Sequence, residues 1–505
     1  MEKQETVNVK NRTIVFSDIK EQVVECDVML PDYYPEVEKV LTCSVQFSEE
    51  SVTLHADKIG VAACARFGIV YLSSEGKPYS YACTEKYTRL IPCGGSQAGD
   101  VCVVSQTQNQ LNCRAVAPRK LEVRAVAAIR AEILRTSSAE ILPRIDDPRI
   151  ETQTAETELF SPHGAADGTF TFRQPVRLPV PREQLTALFR ADAVLNNEEI
   201  RVIRNKVMLN GVCVLTLTAA DAQGVVYPGV QFRLTSSETL DVIGAEEEDE
   251  CFICLRTEDV RADLKAGAGE DDALEVQITA AFALLTGRHG KQTYLKDAFA
   301  PGYALEIAAE DILLDRGVVQ TEFTFPFEAQ AECFDAGADE ICDAYLTDLC
   351  FTAVQEGGEV QLSGSATVNA LLKNRDGALW SVSRSASFSC GRETADVCTR
   401  RRYAAYCRSV SASFERSGLL RFTGEICVRG FEIAALKTGM LISAALPENA
   451  QRTGEEQIVV YYAEKNDHVW DIAKENGSTV AGIRESNGLQ SDVLAAPAVL
   501  VFLGR

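Results

Sequence analysis

Ile59-Gly-Val-Ala-Ala-Cys-Ala-Arg-Phe-Gly-Ile-Val-Tyr71 is the stretch whose reading decides the fold. Ile59, Val61, Ala63, Ala65, Phe67, Ile69 and Tyr71 are apolar or small at every second position, so one face of a long strand points at a core. The pattern returns twice without a gap. Val207, Leu209, Gly211, Cys213, Leu215, Leu217 and Ala219 form the second set, and Val360, Leu362, Gly364, Ala366, Val368, Ala370 and Leu372 the third. Each strand runs into a turn, Ser74-Glu75-Gly76, Ala222-Gln223-Gly224 or Arg375-Asp376-Gly377, and Tyr79, Tyr227 or Trp380 stands three residues beyond the glycine. Glycine accepts the positive φ that a tight reversal needs, so each copy predicts a β-hairpin with return strands over 79–90, 230–235 and 380–388.

A second β segment follows in each copy, opening at Leu121, Leu274 and Leu420. The turn glycines are 148 and 153 residues apart, one ordinary domain each, so the chain is a tandem array and not a solenoid of short units. The expected fold class is mainly β, with three tandem β-sandwich-like domains and a small βααβ module. The expected limits are residues 1–135, a linker over 136–167 marked by Pro143, Pro148 and Pro162, then 168–315 and 316–446. A tether over 447–457 precedes the last unit, 458–505.

The chain has 505 residues, 46% hydrophobic and 24% charged, which is ordinary globular composition. A formal net charge of -23 argues against nucleic acid or an anionic membrane face as a general partner. The N-terminus carries acidic residues from Glu2 and no apolar core of a secretory signal, and no transmembrane segment is expected; Ile278 to Gly287 reads as a strand. These features predict a cytoplasmic chain, and 17 cysteines without framework spacing are expected to stay thiols there.

The last fifty residues read differently. Ile458 to Tyr462 predicts an alternating strand, Asp467 a helix cap, and 468–475 a helix closed by Asn476-Gly477. Thr479 caps a second helix over 480–486, Asn487-Gly488 ends it, and Val499 to Phe502 closes the unit as a strand. Tyr462, Asn466-Asp-His-Val-Trp-Asp-Ile-Ala473 and Asn487-Gly-Leu489 resemble the LysM family. That resemblance implies a groove between the first helix and the loop before the last strand, carried here by Asp467, His468, Trp470, Asn487 and Leu489. LysM modules bind N-acetylglucosamine glycans, but Asn466-Asp467-His468 and Pro497-Ala498-Val499 depart from the usual Gly-Asp-Thr and Pro-Gly-Gln. Trp470 is expected in the module's core, with a groove contact as the alternative.

Glu25 to Leu41, with Leu30-Pro-Asp-Tyr-Tyr-Pro35 breaking one strand before the next, completes a wider likeness. Together with the three hairpins and the terminal module, it resembles the SPOCS-domain spore coat morphogenetic proteins of the SipL type. The resemblance implies a mother-cell protein at the forespore surface, docking to the coat-basement ATPase SpoIVA or an equivalent coat protein through its LysM-like module. Peptidoglycan is the alternative partner, and self-association through β edges into a shell is a third reading.

No catalytic constellation stands out, so a non-catalytic role is expected. His55, His163, His289 and His468 show no metal spacing, and no P-loop, G-x-S-x-G elbow or G-x-G-x-x-G follows a strand. Cys251-Phe-Ile-Cys254 is a lone pair without the two further ligands zinc requires, and Glu246 to Glu250 reads as a solvated loop. No metal or cofactor is expected.

Overall fold

The computed structural model describes residues 6–264, 272–333, 338–393, 398–415, 418–447 and 449–505. It is mainly β, and six strands recur three times. The first set is β1 (Val7–Met29), β2 (Val37–Leu54), β3 (Lys58–Ser73), β4 (Pro78–Pro92), β5 (Val101–Ala117) and β6 (Lys120–Ile141). The second is β7 (Glu151–Val176), β8 (Leu185–Ile203), β9 (Lys206–Asp221), β10 (Val226–Asp241), β11 (Glu250–Ala262) and β12 (Leu274–Phe299). The third is β13 (Glu306–Glu332), β14 (Ala338–Glu356), β15 (Glu359–Asn374), β16 (Leu379–Glu393), β17 (Cys398–Glu415) and β18 (Leu419–Ala445). In every set the sixth strand lies between the first and fifth, and the third between the second and fourth, all antiparallel. Each set is thus a sandwich of two three-stranded sheets with the same topology.

The three repeated strands of the sequence are β3, β9 and β15, at the centre of one sheet in each sandwich. Their in-phase side chains face the opposite sheet: Phe67, Ile69 and Tyr71 pack on Leu121 and Val123, Leu215 on Ile278, and Val368 on Phe422. The turns are as expected. Gly76, Gly224 and Gly377 sit at φ +73, +75 and +82, and each N–H closes a turn onto the carbonyl of Ser73, Asp221 or Asn374. This is the three-residue hairpin loop whose last position favours glycine. The return strands are longer than the 230–235 and 380–388 stretches expected: β16 pairs from Leu379 to Glu393, and in β10 Pro228-Gly229 is absorbed as a bulge and not as a break.

The connector expected over 136–167 is mostly strand. β6 runs to Ile141 and β7 starts at Glu151, so only 142–150 lies between them. Pro162 is tolerated because it precedes a bulge at His163, where the ladder is already interrupted. The second and third units accordingly begin at β7 and β13, earlier than residues 168 and 316.

The sandwiches close into a ring with pseudo-threefold symmetry. The fourth strand of each meets the second of the next. At β4 and β8 the Ser80 hydroxyl accepts the Leu188 N–H at 3.3 Å, and at β10 and β14 the neighbouring Thr218 hydroxyl donates to Asp343 at 2.5 Å. β16 returns to β2, where the Ser381 hydroxyl donates to the Leu41 carbonyl and the Lys39 ammonium lies 3.0 Å from the Trp380 ring centroid. β1, β7 and β13 touch one another on the other side.

Bulges build the axis. β2, β8 and β14 each carry an extra residue at the same place, Leu41, Phe189 and Cys342, all 35 residues before the turn glycine. A bulge re-aims its side chain, and these three meet with Val70, Ala220 and Leu371 in a cluster shared by all sandwiches. Matching residues of the long sixth strands form two more shared clusters, Ile141 with Tyr294 and Met440, and Leu142 with Leu295 and Leu441. Polar ties cross each joint too: Arg66 to Asp259 at 3.4 Å, Arg402 to Glu132 at 2.9 Å, and Arg429 to Asn196 at 2.9 Å. Among the described residues no helix is long and apolar enough to cross a membrane.

Candidate functional site

The C-terminal module is β19 (Gln457–Ala463), α1 (Val469–Glu475), α2 (Val480–Asn487) and β20 (Ala498–Gly504), with β19 and β20 antiparallel. The βααβ order is the one expected. Its core is Val469, Ile472, Ala473, Ile483, Leu500 and Phe502. The Thr479 hydroxyl caps α2 by accepting the Gly482 N–H at 3.0 Å, and Gly488 ends it at φ +62. A Cβ at Gly482 would lie 2.8 Å from Thr479 Oγ1, so a side chain there would make the cap shift.

Trp470 is buried, but its main aromatic contact lies outside the module. Its ring meets Phe299 at the end of β12 edge to face, 4.8 Å between centroids, and its indole N–H donates to Asp297 Oδ2 at 2.9 Å. The Lys474 ammonium, one turn along α1, donates to both Asp297 oxygens at 2.7 and 2.8 Å. Burial pushes the Asp297 carboxyl up, yet these hydrogen bonds from Lys474 and Trp470 outweigh it and hold the carboxyl below its ordinary range. The module is therefore fastened to the second sandwich by one face of α1. The Thr453 N–H of the tether also donates to the Gly302 carbonyl at 2.7 Å, while Arg505 pairs with Glu456 at the start of the module.

The other residues expected in a groove divide. His468, not Asp467, is the cap position of α1, and its side chain makes no cap bond. Asp467 Oδ2 instead accepts the Glu464 N–H at 2.8 Å, because Asn466, at φ +75, turns the chain one residue earlier. His468 is exposed and bridges Val493 through the backbone, which joins the start of α1 to the loop before β20. Asn487 is a clamp: its side chain accepts the Val501 N–H at 2.8 Å and donates to the Val501 and Ile483 carbonyls. Leu489 packs on the module core. Asp467 and His468 thus share one rim, while Trp470, Asn487 and Leu489 hold the module together or to β12.

The broadest feature of the module lies outside the expected groove. β19 and β20 bury Tyr461, Ala463, Leu500 and Phe502 on one face. The opposite face is also apolar, with Ile458 73% exposed, Tyr462 78% and Leu503 61%, joined by Val460, Val499 and Val501. Register makes these neighbours: Ile458 pairs with Leu503, Val460 with Val501, and Tyr462 with Val499. The signal was there in Ile458-Val-Val-Tyr-Tyr462, which does not alternate but is apolar throughout, the mark of a strand covered on both faces.

Two other clusters carry charge or thiols. The acid run 246–250 is not wholly solvated: Asp249 is buried and accepts from His163 Nδ1 at 2.8 Å, Arg288 Nε at 3.0 Å and the Glu246 N–H at 2.9 Å. His163, Glu246 and Asp249 are close enough for a cation, but Arg288 pairs with both carboxylates and already supplies the positive charge. Cys251 and Cys254 face opposite ways, one toward the core of the second sandwich and one toward the joint with the third, so they do not form a ligand pair. No family model, curated protein or solved structure matches this chain.

Proposed function

We propose that this protein is a non-catalytic scaffold of spore coat assembly, in which the ring of sandwiches carries a βααβ module that docks a coat protein. The carrying observation is the uncovered sheet face of Ile458, Val460, Tyr462, Val499, Val501 and Leu503. A contiguous exposed apolar patch marks a protein contact, since holding such side chains in water costs free energy that burial against a partner's surface recovers. Of the five residues expected in a glycan groove, Trp470, Asn487 and Leu489 are taken up in holding the module, which leaves only Asp467 and His468 on the rim. That favours protein over peptidoglycan as the ligand. A net charge of -23 opposes stacking two copies face to face, which favours a different partner chain over a self-assembled shell. The coat-basement ATPase is the partner that the architecture suggests. Capture of the purified ATPase by the full chain, but not by a chain ending at residue 446, is the expected result. Equal capture by both would refute the assignment to the module.

A further inference from the structure

Four half-buried cysteines of the first sandwich stand at one level, each on a different outer strand: Cys26 on β1, Cys43 on β2, Cys83 on β4 and Cys113 on β5, with Cys102 further along β5. Cys26 and Cys113 flank Val123 of β6 in one sheet, and Cys43 and Cys83 sit opposite Ile69 and Phe67 of β3 in the other. All four pack on the same core. β1 lies against β4, and β2 against β5, along the two sides of the sandwich. The thiols consequently meet across the sheets in two pairs. Cys26 Sγ is 4.0 Å from Cys83 Sγ, and Cys43 and Cys113 face each other between β2 and β5, near enough that each thiol shifts the acidity of the other.

The arrangement is two pairs and not a metal cage. In a tetrahedral thiolate site every sulfur lies about 3.8 Å from the others, whereas no three of these sulfurs fall within 4.8 Å of one another. Nor is a thiol pair required for packing, because the places matching Cys43 and Cys113 hold Ala191 and Ala262 in the second sandwich, and Ala344 and Ala412 in the third.

We propose that these pairs are oxidation sites that close as inter-sheet disulfides, Cys26 to Cys83 and Cys43 to Cys113, by exchange with a low-molecular-weight disulfide. In each pair one thiolate attacks the small disulfide, forms a mixed disulfide and expels a thiolate. The second cysteine, having lost its proton, then attacks the protein sulfur and expels the other thiolate. Each pair gives up two protons and two electrons, and the small disulfide is reduced to two thiols. Cys113 is the first attacker in its pair: the neighbouring Cys43 thiol holds it below the usual thiol range, while Cys113 and burial push Cys43 up. Both links would tie one sheet to the other and restrict the unfolded chain.

The test is to incubate the folded full-length protein with oxidised glutathione, quench in acid, alkylate in denaturant and map peptides without reduction. Linked peptides for both pairs are expected, with a thermal midpoint about 5–10 °C above the reduced protein. Cys43→Ala, which copies the residue found in the other sandwiches, should fold, lose its own link and keep the Cys26 to Cys83 link. Free alkylated thiols at all four positions, stable glutathione adducts alone, or links to other cysteines would overturn the proposal.

Discussion

Around the ring axis, Leu41, Phe189 and Cys342 are turned out of their own sandwiches and cover one another. In the module, Ile458, Tyr462 and Leu503 are turned out of the core and covered by nothing among the described residues. The body exposes apolar side chains too, Ile14, Val15, Ile19, Val23 and Met29 along β1 and single ones such as Leu90 and Ile243, with polar residues set between those of β1. The difference teaches how one chain divides its labour. Three copies cover one another's axial side chains. The module satisfies only its α1 face, on Phe299 and Asp297, and keeps a sheet face for something else.

The comparison breaks most sharply at the axis. Phe189→Asp would bury a carboxylate among apolar side chains from all three sandwiches, at a cost of about 4 kcal/mol or more. Calorimetry should show the melting of the whole body falling together; loss confined to a second-sandwich transition would mean that the ring is not a cooperative unit. Trp470→Ala comes next. It empties the joint between α1 and β12 and should cost about 3 kcal/mol. The module should then swing free, read as faster proteolysis of the 447–456 tether with the body's melting unchanged.

Acidity sharpens the contrast within the body. Glu49, in the joint between the first and second sandwiches, is pushed up to about 7 by burial and by the Glu258 carboxylate, against the pull of Arg256. Asp315 is pushed up to about 6 by burial, partly offset by Arg400. For both, the folded protein binds the proton more tightly than the unfolded chain. Their contribution to stability is full below about pH 4 and is lost as pH rises through 6 to 7. Thermal midpoints should fall between pH 5 and pH 8, and less so in Glu49→Gln. A smaller effect, about 1 kcal/mol, is expected for Asp297→Asn, which weakens the bonds to Lys474 and Trp470. Because this carboxyl is held below its ordinary range, its contribution runs the other way and is lost only as pH falls through that lowered range.

The hairpins were legible because β3, β9 and β15 each bury alternate residues over their whole length, which a period of two displays directly. Ring closure was not, since the bulges at Leu41, Phe189 and Cys342 leave no mark in composition and matter only through contacts across 100 residues or more. The connector over 136–167 was misread for a related reason: β7 is largely half-exposed, with Pro162 beside a bulge, so it shows little apolar period. Trp470 was legible as a buried ring, but Phe299 and Asp297, its actual partners, lie more than 170 residues away in sequence. Asp467 was misplaced because a cap read one residue early looks the same until the φ of Asn466 is known.

The most direct test of the outward-facing module is the smallest change to stability. Val460→Glu with Val501→Lys places an opposite-charge cross-strand pair on the uncovered sheet face, where the folded state should change by no more than about 0.5 kcal/mol. Binding of this double variant to the purified coat-basement ATPase, measured beside the unaltered full chain with melting curves for both, decides the matter. The account predicts loss of at least tenfold in affinity at an unchanged melting temperature. Undiminished affinity at the same melting temperature would contradict it.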